Sequence, residues 1–197
     1  MAYYIPKFDL AFIHIPKTGG TSILTWIKEN FDYQKKCGKH CTIDKFILEF
    51  KMPKYYFTVV RNPYHRLLSW YFYQGKMLDY RKQKNKPRPT DYEIQRVFDL
   101  GFNEAFINSP NALFDKTILT PQTEFFNKDI TFILKQENLN QDFIKIQQLT
   151  NTFKDLDKIN TSSNNNNIKL LNSQVKEKIN SYFSKDFDYL GYNYETP

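Results

Sequence analysis

Apolar residues fall in short blocks along this chain, and the blocks switch between strand-like runs and helical spacing. Leu10 to Ile15 is mostly apolar with β-branched members and predicts a buried strand. Tyr55 to Val60 (Tyr-Tyr-Phe-Thr-Val-Val) predicts a second, and Ile130 to Leu134 a short third. Helical spacing is read over Gly20 to Asn30 and over Cys41 to Phe50, where Ile43, Phe46, Ile47 and Phe50 recur and Thr42 can cap. It returns from Tyr64 to near Gln74, after a Pro63 suited to a first helical turn, with Leu67, Leu68, Tyr71 and Phe72 as the core face. Asp91 to Leu100, Asn140 to Phe153 and Ile168 to Phe183 complete the helices. Met1 to Asp9 reads as a lead-in and Phe31 to Lys39 as a polar, lysine-rich connection. Gly101 to Phe126 carries turn signals at Asn108-Ser109-Pro110 and Thr120-Pro121 but no clear period.

Strands alternating with helices at helix-sized gaps predict an α/β fold: a P-loop-like parallel sheet with helices on both faces and right-handed crossovers. No repeat or dividing linker is visible, so residues 1–197 read as a single domain. The aromatic fraction of 17% predicts that core and cleft walls are largely Phe and Tyr. No window is apolar enough for a transmembrane helix and no signal peptide is visible. A cytoplasmic location is therefore expected, ahead of a trimmed Golgi-lumenal domain. The net charge of +7 favours an anionic partner without choosing among nucleotide, acidic glycan, nucleic acid and membrane surface.

The chemistry concentrates after the first strand, in His14-Ile15-Pro16-Lys17-Thr18-Gly19-Gly20-Thr21-Ser22. Pro16 ends strand pairing, Gly19-Gly20 permits a tight turn, and a helix follows. Such a turn aims free N–H groups and the positive end of a helix dipole at one point, which suits a phosphate. Lys17 adds a full charge, and Thr18, Thr21 and Ser22 add hydroxyls. The spacing is not G-x-x-x-x-G-K-[ST], because Lys17 precedes the glycines. A second anion-binding pair follows the second strand: Arg61, at its C-terminal end, and Ser69, two helical turns on. Two such elements suggest a ligand phosphorylated at both ends, such as a 3′,5′-substituted nucleotide.

Cys37 and Cys41 flank His40 and read as two reduced thiols, since a zinc site would want further ligands. Arg81 to Pro89 reads as a solvated basic loop, with a docking strip for an anionic acceptor as the sharper alternative.

Together these motifs resemble the sulfotransferase family that includes the Golgi carbohydrate sulfotransferases and smaller bacterial and viral relatives. Phe12 to Ser22 resembles that family's 5′-phosphosulfate loop, and Val60 to Tyr71 its 3′-phosphate motif. Lys39-His40-Cys41-Thr42 is similar to the segment that supplies its histidine base. Glu137-Asn138-Leu139, Ile159 to Ser162 and Asp186 to Tyr192 are weaker likenesses.

The resemblance implies a donor, 3′-phosphoadenosine 5′-phosphosulfate (PAPS), with 3′,5′-adenosine bisphosphate (PAP) as product. It implies in-line sulfuryl transfer to a hydroxyl or amine of an acceptor, a carbohydrate being the first choice. Lys17 would neutralise the leaving phosphate, and Thr18, Gly19, Gly20, Thr21 and Ser22 would hold the 5′-phosphate. Arg61 and Ser69 would hold the 3′-phosphate, Ser162 would contact the nucleotide, and His40 would be the base. No metal is required, because Lys and Arg supply the charge, and no nucleic-acid partner is expected. Glu124 and Glu137 are the alternative bases. His14 reads as a core histidine and His65 as a residue of the cleft rim or surface.

Three other readings compete. A nucleotide or small-molecule kinase would share the core, but wants a Lys after the second loop glycine and an Asp for magnesium. A basic nucleic-acid-binding module suits the charge but lacks a recognisable motif. A degenerate sulfotransferase would bind nucleotide without turnover.

Overall fold

The computed structural model describes residues 1–38, 41–108, 114, 116–156 and 167–196. The chain forms two compact units, Met1–Arg61 with Gln122–Thr161, and Asn62–Pro121 with Ser162–Pro197.

The first unit is built on a five-stranded sheet. Its strands are β1 (Ala2–Ile5), β2 (Leu10–Ile13), β3 (Gln34–Lys36), β4 (Tyr55–Val60) and β5 (Phe132–Lys135), in the order β3-β1-β2-β4-β5. The three strands expected from the sequence, β2, β4 and β5, are mutually parallel. They form the expected parallel core, and the sheet as a whole is mixed because β1, paired antiparallel with both β2 and β3, adds two strands beyond it. The lead-in is thus half of a hairpin. Pro6 opens its turn and Asp9, at φ 47°, closes it in the left-handed region. The polar β3 hid as a connection because its side chains bury little; Gln34 and Lys35 are exposed.

Side-chain alternation places helices on both faces, as expected. Tyr3, Ile5, Leu10, Phe12, Phe57, Val59 and Leu134 point to one face. There they meet Ile23, Trp26 and Ile27 of α1 (Gly20–Asn30) and Phe143 and Ile146 of α7 (Leu139–Thr150). Trp26 packs edge-on against Phe143 at 4.8 Å. On the other face, Tyr4 meets Phe46 of α2 (Ile43–Glu49) and Phe50 just beyond it. Thr42 caps α2 as expected, its side chain accepting from the Lys45 N–H.

The second unit is helical. It comprises α3 (Pro63–Gln83), α4 (Asp91–Leu100), α5 (Phe102–Asn108), the short α6 (Lys116–Leu119), α8 (Ser173–Tyr182) and α9 (Ser184–Leu190). Tyr64, Leu67, Val97, Phe106, Ile118, Val175 and Phe187 share its core. Asn62 caps α3 by accepting from the Tyr64 N–H, and Pro63 occupies the first turn. The helix runs well past Gln74, so Arg81 to Gln83 are helical rather than loop. Arg81 is buried and paired with Asp91 at 2.5 Å, which joins the end of α3 to the start of α4. Gly75 inside α3 has a packing reason, since a β-carbon there would stand 2.9 Å from Phe98 Cζ.

Candidate active site

Everything near the first glycine turn follows from the end of β2. The ladder stops at Ile13, whose carbonyl still accepts from Thr58 Oγ1 of β4 at 2.7 Å. The chain then turns through Lys17 at φ 69° and Gly19 at φ 91°, two left-handed residues either side of Thr18. A lysine in that region is uncommon and strained by roughly 1–2 kcal/mol. Thr18 holds the bend from inside. It is fully buried and its hydroxyl donates to the Ile15 carbonyl at 2.9 Å. The expected Thr18 hydroxyl donor is therefore engaged with the backbone.

Gly19 is the N-cap of α1, and no side chain caps the helix. No acidic side chain stands in the first turn either. The Ser22 N–H donates to the Gly19 carbonyl at 3.2 Å, and the first turn of α1 carries the positive end of the helix dipole with no side chain neutralising it. Thr21 is exposed there, while Ser22 is buried with 8% exposure. Glycine is required twice, for different reasons. Gly19 has the positive φ and sits 3.3 Å, measured from a notional β-carbon, from Gln136 Cγ. Gly20 backs onto the imidazole of His14, whose Cγ would lie 3.2 Å from such a carbon and whose Cδ2 and Nε2 would lie closer still. His14 itself stacks on Phe12 at 5.7 Å. Burial, with nearby positive charges including Lys17, pulls its pKa down to about 4, so it is neutral at pH 7.

Arg61 follows β4 directly and is 6% exposed. Its backbone is held by the Gln122 side chain: the Arg61 N–H donates to Gln122 Oε1 and Gln122 Nε2 donates to the Arg61 carbonyl, both at 2.8 Å. Its Nη1 donates to the Lys17 carbonyl at 3.4 Å, a long contact. The structure therefore brings together Lys17, Thr18, Gly19, Gly20, Thr21, Ser22 and Arg61 within the first unit. Ser69 lies on α3 in the second unit, half-buried, two turns beyond the Asn62 cap, and His65 lies in the first turn of that helix. His40 and Ser162 lie outside the described residues. Glu124 and Glu137 are exposed.

Cys37 and Cys41 form a disulfide, which corrects the expectation of two reduced thiols. The bond ties the end of β3 to the Thr42 cap of α2. Its sulfurs are not thiolates, so they are not zinc ligands in this state. An even pair of cysteines flanking Gly38 was the available signal, but pairing rests on three-dimensional proximity. Gln122 was missed because no motif marks a side chain whose amide bonds the backbone of a residue 61 positions away.

Among the described residues, no group of three or more His, Cys, Asp and Glu side chains could hold a metal ion, and no helix is long and apolar enough to cross a membrane. The family model described as the Sulfotransferase family matches residues 2–193. Neither the curated proteins nor the solved structures give a match.

Proposed function

The chain belongs to the sulfotransferase family, and we propose that it transfers a sulfuryl group from PAPS to a hydroxyl, or an amine, of a carbohydrate acceptor. Family membership supports sulfuryl transfer in general; the donor, acceptor and residue roles are our reading. One observation carries it: the uncapped N-terminus of α1 opens at a bend where Lys17 and Gly19 are both left-handed, with Arg61 Nη1 3.4 Å from the Lys17 carbonyl. Backbone donors, a helix dipole and the Arg61 guanidinium at the turn that carries Lys17 suit a phosphorylated ligand.

The donor supplies a sulfuryl group on a phosphate leaving group. The N–H groups of Thr18 to Thr21, with the Thr21 and Ser22 hydroxyls, would hold the 5′-phosphate. Lys17 would neutralise the charge that develops on the oxygen as its bond to sulfur breaks. Arg61 and Ser69 would bind the 3′-phosphate, and Ser162 would add a nucleotide contact. His40 would accept the acceptor's proton as the new sulfur–oxygen bond forms. Lys and Arg supply the positive charge, so the proposal requires no metal.

Incubation with sulfur-labelled PAPS and a panel of glycans tests the proposal, with label appearing in glycan and PAP released in equal amount. Release of PAP only by hydrolysis, with no acceptor labelled, would remove the carbohydrate assignment. No turnover in wild type alongside tight PAP binding would point to the degenerate form.

A further inference from the structure

Gln122 is fully buried, and its amide makes the same two hydrogen bonds to Arg61 that a neighbouring strand would make. The reason lies in the sheet. The β4–β5 pairing ends at Val60 opposite Lys135, so the backbone of Arg61 is the first past the ladder. A buried N–H and C=O need partners, and a primary amide offers one acceptor and one donor in a peptide-like plane. Gln122 reaches this place from a short 3-10 turn, Gln122–Phe125, anchored by the buried Phe125 and Phe126.

We infer that Gln122 is a positioning residue for nucleotide recognition: it fixes the backbone of Arg61 so that the guanidinium is held at the Lys17 carbonyl. The inference rests on the proposed role of Arg61 toward the 3′-phosphate. The amide acts through Arg61. It sets Arg61 in place through two bonds of 2.8 Å, and Arg61 reaches the left-handed Lys17 through Nη1. A guanidinium whose backbone is loosened has more conformations to lose when it grips an anion, so the effect falls on the phosphate that Arg61 meets.

The test compares adenosine 3′,5′-bisphosphate with 5′-AMP, which lacks only the 3′-phosphate, by calorimetry on wild type, Gln122→Met, Gln122→Glu and Arg61→Lys. A merely structural role lowers the folded fraction and weakens both ligands by the same factor. Positioning weakens the bisphosphate alone. Gln122→Met should reduce the bisphosphate preference about tenfold, on the scale of one hydrogen bond to a charged group, and leave 5′-AMP binding unchanged. Gln122→Glu keeps the bond from the Arg61 N–H and should recover part of the preference. The double variant Gln122→Met/Arg61→Lys should lose little more than Arg61→Lys alone. An unchanged ratio in both Gln122 variants would overturn the inference. No bisphosphate preference in wild type would instead overturn the donor reading on which it rests. Should Gln122→Met not fold, Gln122→Glu decides, with an undiminished preference overturning the inference.

Discussion

The imidazole of His14 fills the space that a β-carbon on Gly20 would need, with Cγ 3.2 Å from its position and two further ring atoms closer. The ring is backed by Phe12 and cannot easily yield. Gly20→Ala should therefore destabilise the protein by about 1–3 kcal/mol, as overpacking does. Adding His14→Ala should return part of that loss. Urea unfolding of the two single variants and the double variant checks this, and strict additivity would contradict it.

The same ring gives a pH dependence. The folded pKa of His14 is about 4, below its ordinary 6.5, chiefly because of burial. The unfolded chain therefore takes the proton first, and stability falls as pH drops from 6.5 toward 4. The full window is worth about 3 kcal/mol for a shift of this size. Urea midpoints at pH 7, 5.5 and 4 should fall more steeply in wild type than in His14→Gln. Parallel slopes would place the neutral form of His14 in doubt.

Lys17 combines strain with charge, and glycine separates the two. Lys17→Gly relieves the left-handed backbone at φ 69° while removing the ammonium. It should be at least as stable as wild type, yet lose about 10²–10³ in turnover, the scale for removing one group that stabilises developing charge. Lys17→Ala should lose as much turnover without the gain in thermal midpoint. A Lys17→Gly protein that retains its turnover would remove Lys17 from the mechanism.

The Cys37–Cys41 bond should be visible chemically. Titration of unfolded, unreduced protein should find no free thiol, and Cys37→Ser/Cys41→Ser should be less stable by about 2 kcal/mol on the chain-entropy estimate for so short a ring. Disulfides persist in oxidising compartments and are rare in the cytosol. Two free thiols in protein isolated under thiol-trapping conditions would contradict the bond and favour the cytoplasmic expectation.

How far the sequence could be read follows from which forces leave a local trace. Strand β4 and helix α4 fall at their expected bounds, because each is an apolar pattern between clear breakers. Pro63 and the glycine turn were legible for the same reason. Strand β1 was not, since four residues followed by a proline carry too little period to distinguish a hairpin arm from a lead-in. The long C-terminal half of α3 was hidden by its own surface: Tyr73, Tyr80 and Lys82 are exposed, and its end is held by the Arg81–Asp91 pair across ten residues of sequence. At the site, Lys17 and Arg61 were legible as charges after strands. The left-handed turn at Lys17, the inward hydroxyl of Thr18 and the amide of Gln122 were not, because each depends on a contact with backbone that leaves no pattern in the chain.

The central claim, a binding site for a nucleotide phosphorylated at both ends, is tested most directly by calorimetry of wild-type protein with 3′,5′-adenosine bisphosphate, ATP and 5′-AMP, each with and without magnesium. Tight binding of the bisphosphate over both competitors, unaffected by magnesium, is the predicted result. Preference for ATP that depends on magnesium would contradict it and bring the kinase reading forward.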